Sequence, residues 1–377
     1  MPRRPDKITV EADDGGEFDA FESISIKNDI LQTAEAVLEL GDDGAFAELK
    51  DIIAPGNDFT VKLNGRPRLK GRAEVNSVPV SAQGGVKLTL TVRTKMSDAR
   101  YRSAAPKVKV KGATIEQFLI ELFAPIGITK NDFRFAPFTA VDLMTGKASN
   151  SRLAFAPAEI KLEQAKVNPP ETIYSAATRH LKRYGATIWD GPDGSIIVGA
   201  PDDTQTAHFQ LLCRRPPDSQ GNNIKSARKL IDWSEVVSEL QVHGSTPGKE
   251  ISKQSLRATL FDDDVKAIAD ATGHFSRLVI IRNQASKSQV QADRLAVREL
   301  SARSRRKDAW ECTVDGWTYW DGHAQTPWAN NTVAEVDIAP AGGAVGSYLI
   351  VSTDLTLSVG GAVETRMQLV APGVWVI

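Results

Sequence analysis

The stretch Phe59-Thr-Val-Lys-Leu-Asn-Gly65 carries the pattern that decides the fold. Phe59, Val61 and Leu63 alternate with polar residues, which is typical of a β-strand with one buried and one solvated face. Asn64-Gly65 follows directly, and this dipeptide readily adopts the two positive φ angles of a type I′ hairpin turn. The stretch therefore predicts an antiparallel hairpin.

The same alternation recurs on both sides of this hairpin. Val78 and Val80 precede a Gln83-Gly84-Gly85 turn, and apolar and polar residues alternate again within 87–93. Residues 31–40 have good helix propensity but also fit a period of two, and we predict a strand there. The first hundred residues are thus predicted to form antiparallel β structure.

Helical patterns appear in the next part of the chain. Thr114-Ile-Glu-Gln117 is a capping box, in which the Thr and Gln side chains satisfy free amides at a helix start. Pro169-Pro170 opens a second helix that is predicted to end at Gly185. A small hairpin follows at 186–198, so residues 107–199 are predicted to form an α+β insert.

The rest of the chain returns to short strands. Residues 200–228 are polar and rich in turn residues, which predicts a connection. A strand is predicted within 236–244 and a third helix across 288–304. The remaining residues form short alternating runs separated by glycines, the pattern of a β-barrel or sandwich.

The composition is that of an ordinary globular protein. The 377 residues include 46 basic and 47 acidic side chains, and 41% are hydrophobic. A net charge of -1 excludes a global field that would hold nucleic acid or anionic lipid, so such contacts would need a local patch. No apolar run approaches the ~20 residues of a membrane span and no signal segment is recognisable, so we expect a soluble protein that is not Sec-exported.

The sequence contains none of the common catalytic signatures. G-x-x-x-x-G-K-[ST], G-x-G-x-x-G, G-x-S-x-G and H-E-x-x-H are all absent, so we predict no enzyme activity and no cofactor. Cys213 and Cys312 lack CxxC spacing, which predicts reduced thiols. None of the five histidines has metal-ligand spacing to another, and His180 is predicted to be a packed or surface residue.

An acidic run has two interpretations. Asp262-Asp-Asp264 could supply oxygen ligands to a hard cation, but it lacks the glycine and terminal glutamate of an EF-hand loop. We favour a solvated turn between Leu260 and Val265. A carboxylate pair for glycoside hydrolysis could combine this run with Glu311 or Asp315, although the sequence sets no distance between them.

Two further clusters are also open to two interpretations. Four cations near the end of the third helix could contact phosphate, and we favour a role at the helix C-terminus, where cations are stabilising. Three tryptophans could form a sugar-stacking platform, and we favour packing or interface roles. The cations are Arg303, Arg305, Arg306 and Lys307, and the tryptophans are Trp317, Trp320 and Trp328.

Several sequence blocks follow one another in a recognisable order. An N-terminal β module at 8–103 precedes Ala113-Thr-Ile-Glu-Gln-Phe-Leu-Ile-Glu-Leu-Phe-Ala-Pro-Ile-Gly-Ile128, then Glu171-Thr-Ile-Tyr-Ser-Ala-Ala-Thr-Arg-His-Leu-Lys-Arg-Tyr-Gly185 and Trp189-Asp-Gly-Pro-Asp-Gly-Ser-Ile-Ile-Val198. The C-terminal blocks include Pro327-Trp-Ala-Asn-Asn-Thr332, Gly346-Ser-Tyr-Leu-Ile-Val351 and Thr365-Arg-Met-Gln-Leu-Val-Ala-Pro372. In this order the chain resembles the baseplate hub proteins of contractile phage tails, the Mu-type and P2-type late control protein D family.

The resemblance implies a β-rich α+β fold with two similar β-barrel modules, an α+β insert and a small additional domain. It implies a non-enzymatic homotrimer whose six barrels form a pseudo-hexameric ring around a channel, adapting the six-fold tail tube to the three-fold spike. The implied partners are a trimeric spike protein, a tail tube or distal tube-initiator protein, baseplate wedge proteins and a tape measure protein in the channel. DNA would be present only in transit, with no stable membrane association.

The implied location is the tail baseplate of a virion assembled in the host cytoplasm. The implied first barrel takes 1–106 with about 200–228, the insert 107–199, the second barrel 229–261 with 308–377, and a helical appendage 262–307. Two alternatives stay open: a carbohydrate-binding or glycan-cleaving β protein of a tail, and a tail component that contacts DNA through the cations at 303–307.

Overall fold

The structure is a computed structural model that describes most of the chain. The described residues are 5–13, 15–41, 56–77, 80–81, 85–105, 109–110, 113–136, 138–139, 154–155, 162, 165–168, 170–182, 186–244, 256–283, 286, 289–304, 307, 309–339, 343–358 and 360–372. No helix within these ranges is long and apolar enough to cross a membrane.

The N-terminal strands form one half of a large antiparallel sheet. They are β1 (Ile8–Ala12), β2 (Glu17–Phe18), β3 (Ser23–Asp29), β4 (Glu35–Gly41), β5 (Asp58–Leu63), β6 (Arg66–Ser77), β7 (Val80–Ser81) and β8 (Gly85–Arg93). Asn64 and Gly65 have φ values of 52° and 77° between β5 and β6, so the predicted type I′ hairpin is confirmed. The strand predicted within 31–40 is also confirmed as β4. The turn residues 82–84 lie outside the described residues.

The insert combines short helices with small sheets. Its helices are α1 (Asp98–Tyr101), α2 (Ile115–Phe123) and α3 (Ile173–Lys182), and its strands are β9 (Lys109–Val110), β10 (Phe133–Phe135), β11 (Phe138–Thr139), β12 (Ala154–Phe155), β13 (Ala165–Lys166), β14 (Thr187–Asp190) and β15 (Ile196–Gly199). The predicted capping box is present at α2, since the Gln117 amide donates to Thr114 Oγ1 at 3.2 Å and the Thr114 amide donates to Gln117 Oε1 at 3.1 Å. The predicted hairpin is β14–β15. Gly185 lies outside the described residues.

Two strands follow the insert and are succeeded by a small α/β unit. The strands are β16 (Phe209–Cys213) and β17 (Ile224–Leu230), and the small unit contains β18 (Glu239–His243), β19 (Arg257–Phe261), α4 (Asp263–Thr272), β20 (Leu278–Arg282) and α5 (Gln289–Ser304). The helix predicted across 288–304 is confirmed as α5. Its apolar stripe packs on one face of the β19–β18–β20 sheet, burying Ala292, Leu295 and Ala296 against Leu240 and Val242.

The C-terminal strands complete the large sheet. They are β21 (Ala309–Asp315), β22 (Thr318–Trp320), β23 (Gln325–Pro327), β24 (Thr332–Ile338), β25 (Ala344–Leu357) and β26 (Val363–Val370), of which β22 and β23 form a separate hairpin. Within the described residues the large sheet has fourteen strands. Eleven follow the path β17–β21–β26–β25–β3–β4–β8–β6–β5–β1–β2, and off this path β24 pairs with β25, β16 with β24 and β7 with β8. The fold is therefore β-rich with few helices, and this path is open.

One strand joins the two halves of the large sheet. The first half of β25 pairs with β24, and its second half, from Ser352 to Leu357, pairs with β3. The register of β25 against β26 shifts between Ile350 and Ser352, where a bulge bends the strand. A single hydrophobic core draws on both halves, with Val61 and Leu90 on one side and Cys312 and Leu369 on the other.

Strand pairing differs from the sequence-based grouping at two places. Residues 200–228 contain strands that pair with the C-terminal half, β16 with β24 and β17 with β21, and not with the N-terminal half. Within 229–261, β18 and β19 pair with each other and with β20 in a sheet of their own, whereas 308–377 enters the large sheet. An alternating pattern identifies a strand but not its partner, because the partner is chosen by packing across the sheet.

Candidate functional site

The contact between the insert and the large sheet is built around Trp189. Its side chain is buried in a group of apolar residues on the outer face of the sheet, which we call the joining cluster. The joining cluster consists of Ile30, Trp189, Ala309, Val333, Leu349, Val351 and Val370. Alternate residues of β21 and β26, Trp310 and Leu369, face the main core instead. The large sheet is therefore covered on both faces where β14 crosses it.

Polar contacts fix the insert on the same surface. The Ala34 amide, in the turn before β4, donates to Asp190 Oδ2 at 2.8 Å. Tyr174 Oη donates to the Leu31 carbonyl oxygen at 3.2 Å, and the Arg100 guanidinium lies 4.8 Å from the Tyr174 ring centroid. These contacts hold β14 and α3 against the β3–β4 turn.

Asp190 is a buried carboxyl with an altered acidity. Burial raises its pKa to about 7, and the hydrogen bond from the Ala34 amide, the nearby Thr94 hydroxyl and the charge of Arg100 only partly oppose this effect. The side chain is 4% exposed. In the folded protein the Asp190 carboxyl therefore takes up a proton at a higher pH than an ordinary aspartate does.

A buried arginine ties β6 to the C-terminal half. The Arg68 guanidinium donates to the Trp328 carbonyl oxygen, and burial lowers the pKa of Arg68 to about 10. No described carboxylate forms an ion pair with it. Trp328 in turn packs against Phe209 and Tyr319, with ring centroids 4.8 Å and 5.4 Å away. The two halves are thus connected by side chains as well as by β25.

The acidic run begins a helix, so the favoured interpretation as a solvated turn was wrong. Asp262 is the N-cap of α4, and its side chain accepts from the Val265 amide at 3.3 Å. Lys307 Nζ donates to Asp262 Oδ1 at 2.7 Å and to Asp264 Oδ2 at 3.1 Å, and Ser304 Oγ donates to Asp262 Oδ2 at 2.6 Å. Burial alone would raise the pKa of Asp262, but the hydrogen bonds from Lys307 and Ser304 outweigh it and lower this pKa.

The cations near the end of α5 are engaged within the chain. Lys307 binds the acidic run, and Arg303 Nη1 donates to Glu299 Oε2 at 2.9 Å. Arg305 and Arg306 lie outside the described residues. The two clusters that the sequence analysis treated separately therefore share one ion-pair group, in which Lys307 pairs with Asp262 and Asp264.

The residues proposed for sugar chemistry are also engaged. Glu311 pairs with Arg228, and Asp315 pairs with Lys225 at 3.0 Å, across the β17–β21 ladder. Trp317 and Trp328 are buried, and Trp317 Nε1 donates to the Thr356 carbonyl oxygen at 3.0 Å. Trp320 is half-buried. Packing is thus the role of Trp317 and Trp328, as favoured from the sequence.

The remaining candidates have ordinary structural surroundings. His180 is buried, with its ring centroid 4.7 Å from that of Phe118. Both cysteines are free thiols, and burial raises the pKa of Cys312 to about 12, so this thiol is poorly reactive. Within the described part of the chain, no group of three or more His, Cys, Asp or Glu residues is placed to hold a metal ion.

Two clefts beside the insert are lined mainly by polar groups. A cleft of about 190 Å³ lies near β3 and α1, and one of about 230 Å³ lies between β6 and the β14–β15 turn. Arg93, in the first cleft, donates to Glu35 at 3.3 Å and Glu74 at 3.0 Å. A Cβ added at Gly194, in the second, would lie 2.9 Å from Lys70 Cβ, which shows how closely the insert approaches β6.

Sequence reasoning missed two features. Trp189 and Asp190 were assigned only to a hairpin, although a tryptophan beside an acidic residue at a strand end could have marked a docking point. Leu278-Val-Ile-Ile281 was not recognised as a strand with two apolar faces. Its lack of alternation was the available signal.

Comparison with known proteins extends over nearly the whole chain. No family profile matches it. The baseplate hub protein gp44 of Escherichia phage Mu is 23% identical over 371 residues, which cover 96% of this chain and 87% of gp44. The resemblance to Mu-type hub proteins is thereby confirmed.

Two solved structures share the fold. The tail protein from Neisseria meningitidis MC58 superposes with a TM-score of 0.77 at 20% identity and covers 99% of this chain and 98% of its own. The 43 kDa tail protein of prophage MuSo2 from Shewanella oneidensis has a TM-score of 0.74 at 18% identity and covers 98% of this chain and 99% of its own.

Proposed function

We propose that this protein is the structural baseplate hub of a contractile phage tail or a related injection particle. The observation that carries the proposal is the similarity to gp44 of phage Mu along 96% of the chain. The ion pairs of Asp262, Glu311 and Asp315 and the burial of Trp317 and Trp328 suit a structural role, since these side chains serve folding. For the same reason the glycan-binding alternative is not favoured.

The proposed assembly is a homotrimer around a central channel. Each copy contributes two β modules, one from each half of the large sheet, and three copies thus present six modules in a pseudo-hexameric ring. The bulge in β25 supports this division, because it bends the sheet where the two halves meet. Such a ring would match the six-fold tail tube on one side and the three-fold spike on the other.

The proposed partners follow from this position in the tail. They are a trimeric spike protein, a tail tube or tube-initiator protein, baseplate wedge proteins and a tape measure protein in the channel. DNA crosses the channel only in transit, which suits a net charge of -1 because there is no strong global field to retain it. The proposed location is the tail baseplate of the virion, assembled in the host cytoplasm.

Mass and shape in solution test the proposal. One chain has a mass of 40.9 kDa, and light scattering of the purified protein at tens of micromolar should give three times this mass. Negative-stain images should show three-fold rings with a central hole. A strict monomer that also fails to bind a spike trimer would contradict the hub assignment.

A further inference from the structure

The sheet of the small unit has one face that α5 does not cover, although Gln241 at its centre is only 5% exposed and Lys266 Nζ of α4 lies 5.9 Å from the Phe261 ring centroid. In β18, Leu240 and Val242 point toward α5, so Glu239, Gln241 and His243 point to the other side. The register places Phe261 and Leu278 beside Glu239, Thr259 and Ile280 beside Gln241, and Arg257 and Arg282 beside His243. We call these nine residues the open face.

Large apolar side chains are concentrated on the open face. Phe261, Leu278 and Ile280 are 46%, 51% and 50% exposed. The other large apolar side chains exposed to this degree in the described residues are Tyr101, Ile231 and Val345. Leu278 and Ile280 lie two residues apart on the same face of β20, and Phe261 lies on β19, on the other side of Glu239 of β18. Exposed apolar side chains grouped in this way mark contacts with other proteins.

The far end of the open face carries positive charge. Arg257 and Arg282 flank His243, both arginines are exposed, and neither forms an ion pair with a described carboxylate. His243 Nε2 lies 3.2 Å from Gln241 Oε1. The surface therefore fits a partner with an apolar residue beside an uncompensated carboxylate.

A surface of this kind exists on the same chain, on the outer side of β24 and β25. The register pairs Glu335 with Ser347 and Asp337 with Val345, and these four residues form what we call the outer patch. Asp337 is already paired with Arg214 at 2.6 Å, so Glu335 is the carboxylate of the patch that the arginines can meet. Val345 is 73% exposed, and exposed Glu335 accepts a hydrogen bond only from Ser347 Oγ, at 3.0 Å, among the described residues. The insert covers the continuation of this surface at Val333 and Leu349, so the outer patch is the part that stays uncovered.

We propose that the open face of one copy docks on the outer patch of the next copy, head to tail. Leu278 and Ile280 cover Val345, and Arg257 and Arg282 meet Glu335. Two different surfaces form each contact, so every copy uses both, and the chain of contacts closes into a ring when the rotation allows it. This inference rests on the proposed homotrimer and specifies which surfaces form it.

Paired variants test the contact. Ile280→Asp disables the open face and Val345→Asp disables the outer patch, and both sites are exposed, so folding should persist and is checked by circular dichroism. Each variant alone should associate at least tenfold more weakly than the unaltered chain. A mixture of the two should give one-to-one dimers, because one intact open face meets one intact outer patch. Tyr101→Asp, at an exposed site away from both surfaces, should still form trimers.

Charge reversal provides a second measurement. Arg282→Glu should weaken association, and the double variant Arg282→Glu, Glu335→Arg should restore it. Trimers that persist in all single variants would overturn the docking proposal, assign the open face to another tail protein and leave the hub assignment standing. A monomeric unaltered chain would overturn the docking proposal and the proposed homotrimer, and the hub assignment would fail as well only if this monomer did not bind a spike trimer.

Discussion

The large sheet and the three-stranded sheet of the small unit bury their apolar residues differently. The large sheet packs Val61, Leu90 and Leu369 in a core on its inner face, and the joining cluster covers part of its outer face. The small sheet packs one face on α5 and exposes Phe261, Leu278 and Ile280 on the other. Apolar area in the large sheet therefore stabilises the single chain, whereas the exposed apolar area on the open face contributes little to the stability of the single chain.

The largest expected effect comes from removing the side chain that covers the outer face of the large sheet. Trp189→Ala should lower the free energy of unfolding by about 3–5 kcal/mol, because it opens a cavity in the joining cluster. Urea denaturation measures the change. Tyr101→Ala, at a side chain that is 70% exposed, is the matched control and should change stability by less than about 0.5 kcal/mol. Equal effects of the two substitutions would contradict the role given to Trp189.

The two faces of the small sheet should respond differently, and the packed face gives the next largest effect. Leu240→Ala removes a fully buried side chain that contacts α5, and should destabilise the small unit by about 2–4 kcal/mol. Hydrogen exchange of the β18 amides reports this loss locally. Unchanged protection of the β18 amides would show that the stability of the small unit does not depend on the packing of Leu240 against α5.

Asp190 lies on the covered outer face of the large sheet, and its titration should make the stability of the protein depend on pH. Its folded-state pKa, about 7, lies above its unfolded value, so its contribution to stability is complete below about pH 4 and is lost as pH rises toward 7. The expected slope in this window is on the order of 1.4 kcal/mol per pH unit. Asp190→Asn should remove the slope, because an amide oxygen can still accept from the Ala34 amide without gaining charge.

Asp193→Asn is the control for this titration. The pKa of Asp193 is lowered although burial alone would raise it, because hydrogen bonds from Ser195 and the charge of Arg134 stabilise its charged form. Unfolding curves between pH 4 and 8 for both variants measure the slopes. A slope that survives in Asp190→Asn and disappears in Asp193→Asn would show that the titrating carboxyl is Asp193, and it would contradict the assignment to Asp190.

The smallest expected effect is on the open face of the small sheet. Ile280→Ser should change the unfolding free energy of the isolated chain by less than about 0.5 kcal/mol, since the side chain is already half exposed. The measurement is thermal unfolding at a concentration too low for self-association. A loss as large as that of Leu240→Ala would show that the open face is covered within the chain, and the contrast between the two sheets would then fail.

Local features were predictable from the sequence because they depend on neighbouring residues. The Asn64-Gly65 turn, the Thr114 cap and the amphipathic stripe of α5 each follow from short-range sterics or hydrogen bonding. Residues 200–228 were predicted to be a connection because they are polar and rich in turn residues, whereas β16 and β17 lie there and pair with β24 and β21. The ion pair of Asp262 with Lys307 was missed for a related reason, since 45 residues separate its members.

The sequence by itself determined that the chain is β-rich, and it placed the Asn64-Gly65 turn and the helices α2, α3 and α5. Alternation and turn chemistry act over a few residues, and they are readable without knowledge of the fold. Only the tertiary structure decided that β25 pairs with β3 and that Trp189 covers the outer face of the large sheet. Those contacts join residues as far apart as Ser25 and Asp354, and their partners are selected by complementary packing that no local pattern specifies.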